Sequence, residues 1–157
     1  MKKNFLLLSM LVSLLALNTS CHKEYVTEEY YQGAQVYTLE YTIQPNEWQL
    51  DDNGERPYLY VIVDNRYITD ENMKNGAVLG YMWNTYNQEE NLSSWNTLPY
   101  VYPYVYQTDE GSTAVGENIR FEYEPGTVTF VIEDLDAVTP GPVPDPMTFK
   151  IVVVKNM

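Results

Sequence analysis

The chain of 157 residues holds one cysteine, Cys21, and one histidine, His22, and the two are adjacent. No disulfide can close within it, so its stability has to come from core packing. Neither a Ser-His nor a Cys-His pair can form in the body of the chain. Ligation of a transition metal by histidine or thiolate is excluded on the same ground. Phosphate-cradling glycine loops are missing too, because Gly111 and Gly116 stand alone. Cations are scarce: nine Lys and Arg oppose 22 Asp and Glu, for a net charge of −13. Such a charge repels nucleic acid, so no nucleic-acid partner is expected. No motif asks for a cofactor, and no residue stands out as catalytic. Glu122 and Glu124 fall on one strand face beside Arg120, which reads as a solvated surface rather than as a glycosidase pair.

What the chain does have begins at its start. Lys2 and Lys3 precede an apolar run over residues 5–17, relieved only by Ser9 and Ser13, and then come Asn18, Thr19, Ser20 and Cys21. A charged region, a short apolar region and small polar residues make a secretory signal, and the run is too short to span a bilayer as a retained helix. The stretch resembles a bacterial lipoprotein signal, which implies cleavage before Cys21 and a diacylglycerol, carrying chains such as palmitate, on its thiol. Asn18 departs from that pattern, since an aliphatic residue is usual there and Leu17 lies one place further back. The implied partner is a membrane, held through the lipid on Cys21, and the implied location is the cell envelope at the outer membrane. Which face of that membrane is occupied stays open.

Removal of residues 1–20 leaves about 136 residues beyond the anchor, enough for one domain with a real core. Lys and Arg then number seven against 22 acids, so the mature charge is −15. Fifteen tyrosines argue against a solvated coil despite that charge. Residues 21–34 read as the lipidated cysteine and a polar tether, and residues 35–157 as the domain.

From Gln35 the hydrophobic period is two. Tyr37, Leu39, Tyr41 and Ile43 face one way, against Thr38, Glu40 and Thr42. After Pro45, the run Asp51, Asp52, Asn53, Gly54 and Glu55 reads as a hairpin tip that feeds a strand at residues 58–64. Asp51, Asp52 and Asn53 also make a weak calcium candidate, although the helix-loop-helix calcium pattern fails because Gln49 stands where its first acid belongs. One short helix is expected near residues 69–75, with Thr69 as its cap, Asp70 and Glu71 in the first turn, and Gly76 in the left-handed position that stops it. Residues 77–83 are apolar on both faces and read as a central strand; residues 84–94 read as a loop.

Residues 95–106, WNTLPYVYPYVY, place Tyr100, Tyr102, Tyr104 and Tyr106 at every second position. Pro103 puts that strand at an edge or a bulge. With Trp95 and Trp83 these tyrosines are the candidate surface for a glycan or an envelope protein; the bland alternative is that they cover the edge of the core. After a loop at residues 107–117 comes a hairpin. It sets Ile119, Phe121 and Tyr123 against Val128, Phe130 and Ile132 across a Pro125-Gly126 turn. A proline-spaced crossover over residues 139–146 then leads to a closing strand at residues 147–154.

About seven strands and one short helix make a mainly β chain. The expected fold is a single antiparallel β-sandwich, immunoglobulin-like or another Greek key, with a jelly roll as second choice. Ile68-Thr69, Asn75-Gly76-Ala77-Val78-Leu79, Tyr81, Trp95 with Leu98-Pro99-Tyr100, and residues 149–154 resemble uncharacterised small lipoproteins of the Bacteroidota. The resemblance implies an anchored sandwich in the envelope and brings no catalytic residues. The expected function is a binding or assembly module of unknown specific activity. The alternatives are a subunit of a surface fibre or outer-membrane complex and, further off, a carbohydrate-active enzyme.

Overall fold

A computed structural model describes residues 25–31, 33–54, 56–87, 92–108, 111–135 and 145–156. Cys21 and the expected signal lie outside them, as does most of the proline-spaced crossover. Ten strands occur among the described residues: β1 (Tyr25–Tyr31), β2 (Ala34–Ile43), β3 (Gln49–Asp51), β4 (Tyr58–Asn65), β5 (Ala77–Asn87), β6 (Leu92–Thr97), β7 (Tyr100–Thr108), β8 (Gly111–Glu124), β9 (Gly126–Asp134) and β10 (Met147–Asn156). They form two five-stranded sheets, ordered β1-β2-β10-β5-β6 and β3-β4-β9-β8-β7, in which every described pairing is antiparallel. The β-sandwich expected from the alternating pattern is the fold.

Burying one face of each strand is what joins the sheets. Leu39, Tyr41 and Ile43 of β2 and Phe149, Ile151 and Val153 of β10 are buried from one side, and Val61, Val63, Ile119, Val128, Phe130 and Ile132 from the other. Phe130 and Phe149 stack at 4.1 Å between centroids, and Tyr41 meets Phe130 edge-on at 6.0 Å. At Gly80 the sheets come too close for a side chain: a Cβ there would stand 2.5 Å from Cδ1 of Phe121.

The helix α1 (Asp70–Asn75) is capped as expected, with the Thr69 hydroxyl accepting the Asn72 N–H at 3.3 Å and donating to Asn72 Oδ1 at 2.6 Å. Asn72 is buried and donates its amide to the Tyr67 carbonyl at 2.9 Å, which ties the helix to the turn before it. Gly76 corrects the expected stop. Its backbone is extended (φ −125°), and glycine is needed because a Cβ would lie 2.1 Å from the Val154 carbonyl oxygen.

Other boundaries differ for physical reasons. The segment expected to be a tether carries the edge strand β1, whose seven residues all pair with β2. Residues 84–87 and 92–94 belong to β5 and β6, and residues 107–108 and 111–117 to β7 and β8, where loops were expected. Residues 95–106 are two strands in different sheets, divided at the cis Leu98-Pro99 bond, where the Leu98 N–H still donates to the Gly80 carbonyl at 2.9 Å. The run at residues 77–83 is an interior strand, yet Leu79 and Trp83 on its outer face are exposed.

Candidate functional site

The residues singled out in sequence separate onto two surfaces. Tyr100, Tyr102, Tyr104 and Tyr106 lie on β7, the edge of the second sheet, which is where Pro103 had to be. Tyr100 is half-buried against the core, and Tyr102 is 38% exposed. The side chains of Tyr104 and Tyr106 lie outside the described residues. On the alternate positions Val101 is 51% exposed and Val105 62%, with Pro103 open between them. Val101 and Leu135 lean together over Gly116, where an added Cβ would stand 3.0 and 3.4 Å from them. The result is an exposed apolar strip on the outer face of the edge strand, on the side opposite the Tyr100 and Tyr102 positions.

Trp95 is not part of that strip. It lies on β6 in the first sheet, directly opposite Trp83 of β5, and the indoles pack edge to face at 5.2 Å. Lys150 of β10, between the inward Phe149 and Ile151, points outward and places Nζ 4.0 Å from the Trp95 ring centroid and 5.2 Å from that of Tyr81. A cation lying against two π faces holds its neighbours in a fixed arrangement. Tyr81 and Lys150 escaped the sequence reading, because only the register of β10 on β5 brings them opposite one another.

The calcium candidate is occupied by its own turn. One oxygen of the Asp51 carboxylate accepts the Asn53 N–H at 3.0 Å and the Asn53 side-chain amide at 3.1 Å, while the other accepts the Tyr58 hydroxyl at 2.9 Å. The backbone bond from Asn53, helped by Tyr58, holds Asp51 below the usual carboxylate range, and the same Asp51 raises Tyr58. Asp52 and Asn53 are exposed. Among the described residues, no three His, Cys, Asp or Glu side chains gather as a metal ion would require.

Glu122 is exposed and paired with Arg120, and Glu124 is exposed. The carboxyl group with unusual chemistry is Glu117, opposite the buried Asp134 in the β8–β9 register and opposite Tyr102 in the β7–β8 register. Burial first, and then the Asp134 charge, push Glu117 above the ordinary glutamate range. It sits in what the sequence suggested was a loop.

No family model, curated protein or solved structure matches this chain. No helix among the described residues is long and apolar enough to cross a membrane.

Proposed function

We propose that the protein is a lipid-anchored cell-envelope protein, attached through Cys21 at the outer membrane, whose sandwich acts by binding or assembly and breaks no bonds. The anchoring rests on the layout of residues 1–21. The binding role rests on one observation, the exposed apolar strip of Val101, Val105 and Leu135 along the β7 edge. An open edge bearing large apolar groups is a liability for a solitary domain and an asset for one that meets a partner. A partner docking there buries the valines and the leucine. The same strip supports a second reading, in which the protein is one subunit of a surface fibre or outer-membrane complex and the partner is another subunit.

The test places a photo-crosslinking residue at Val105 in intact cells, with a second at Thr129, two strands away on the same sheet face, as control. The expected result is one discrete adduct from position 105 and none from position 129. Position 105 yielding no adduct, or the same products as position 129, overturns the binding role. Val101→Asp should lower the adduct yield at least tenfold while leaving the melting temperature nearly unchanged, since Val101 is outside the core.

A further inference from the structure

The outer face of the first sheet differs from the rest of the molecule in its charge. Among the described residues, the register of β1, β2, β10, β5 and β6 places Glu29, Glu40 and Lys150 on it as the only charged side chains, in a protein of net charge −13. The other described side chains of the face are threonines, a serine, aliphatic groups and the aromatic group of Tyr81, Trp83 and Trp95, with Leu79 and Trp83 exposed. The acids lie elsewhere. Asp51, Glu122 and Glu133 sit on the second sheet, and Asp52 and Asp145 on loops.

Where the chain enters this sheet matters as much as its composition. Tyr25 begins β1 opposite Glu40; Glu40 is opposite Lys150, and Lys150 is opposite Tyr81. The four residues therefore form one row across the sheet, roughly 14 Å from end to end at the usual strand spacing. Between Tyr25 and Cys21 lie only His22, Lys23 and Glu24, a reach of at most about 14 Å even when fully extended. A lipid on Cys21 therefore holds the Tyr25 end of β1 within about 14 Å of the bilayer.

We propose that the outer face of the first sheet rests on the bilayer in which Cys21 is anchored, with Trp83, Trp95 and Tyr81 at the headgroup level and Lys150 among the phosphates. The inference rests on the anchoring reading above and adds an orientation to it. Tryptophan and tyrosine are amphipathic at the scale of the headgroup layer, and a lysine stem lies along apolar surface while its ammonium reaches water or phosphate. Glu40, the register neighbour of Lys150, leaves the face near neutrality. Every other face would bring several carboxylates against a surface of negative potential. Because the anchor keeps the face at high local concentration, an attraction too weak to recruit the free domain is enough to orient the tethered one. The sheet that carries the β7 edge is then turned away from the lipid, where a partner can reach it.

The experiment uses the full lipidated chain in vesicles of phosphatidylethanolamine and phosphatidylglycerol, with a phospholipid brominated near the headgroup as quencher. Trp48→Phe removes the one core indole, so that emission comes from Trp83 and Trp95 alone. The expected result is at least a twofold loss of emission in brominated vesicles relative to unbrominated ones, and less quenching when bromine lies at the acyl-chain end. Mass spectrometry of the same sample establishes the lipid on Cys21. Acylated protein with unquenched indoles overturns the orientation and leaves the anchor standing, whereas an unmodified sulfur overturns the anchor and the orientation together. Unquenched emission accompanied by a dimer that Trp83→Ala abolishes assigns the face to a second copy of the chain, and a glycan that protects the indoles from aqueous iodide in unbrominated vesicles assigns it to sugar. Either outcome removes the bilayer as occupant.

Discussion

Phe121 of the second sheet lies over Gly80 of the first, so that a Cβ on Gly80 would stand 2.5 Å from the ring. The contact sets how closely the sheets approach beside the Leu98-Pro99 crossing, where the chain passes from one to the other. Gly80→Ala should therefore cost about 1–3 kcal/mol, the range for overpacking a filled core. Phe121→Leu in the same chain should recover part of it. Urea unfolding of the two single variants and the double variant checks this, and strictly additive losses would mean that ring and glycine are not coupled.

The Phe130–Phe149 stack is the second prediction. Both rings are fully buried and join the middle strands of opposite sheets. Phe130→Ala should cost about 3–5 kcal/mol. In a double-mutant cycle with Phe149→Leu, the pair should show coupling of about 0.5–1.5 kcal/mol beyond the area lost.

Thr69 offers a smaller and cleaner effect. Its hydroxyl both accepts from and donates to Asn72, the buried residue that ties α1 to the Tyr67 carbonyl. Thr69→Ala should cost about 1 kcal/mol, and Thr69→Ser, which keeps the hydroxyl, much less. Chemical denaturation reads both. Equal losses for alanine and serine would show that the methyl group matters, not the cap.

Glu117 makes stability depend on pH. Its folded pKa is raised, so between the unfolded and folded values the native state binds more protons than the unfolded one, and stability falls as pH rises through that window. Below the unfolded value both states are protonated and the penalty vanishes. Glu117→Gln removes the penalty. The variant should melt above the parent at pH 7, and the gap should close as the pH falls below the ordinary glutamate value. A gap that is the same at pH 7 and pH 4 would show that the gain is unrelated to ionisation.

What could be read in sequence follows from how strands meet water. β2, β8 and β9 bury one face and leave the other wet, so their alternation is written into residues 36–43, 119–123 and 128–132. The α1 cap was legible because Thr69 and the acids after it act locally. β1 was not, since an edge strand touches the sheet along one side and YVTEEYY carries no period that burial would impose. The alternating pattern of residues 95–106 runs straight through Leu98-Pro99 and conceals the passage between sheets. Of the candidate surface, the edge position of the tyrosines was readable from Pro103. The placing of Trp95 with Trp83, Tyr81 and Lys150 depends on which strands are neighbours, and no local spacing encodes that. Gly76 is a similar case: its neighbour is the Val154 carbonyl, far along the chain.

β10 lies between β2 and β5, pairing residues 147–156 with β2 and residues 149–154 with β5. Without β10, β1 with β2 and β5 with β6 are two ribbons with no pairing between them among the described residues, and the rings of Trp48 and Phe130 lack the Phe149 they pack against. Closure of the sandwich is thus a non-local event, held back by loop entropy until distant parts of the chain can meet.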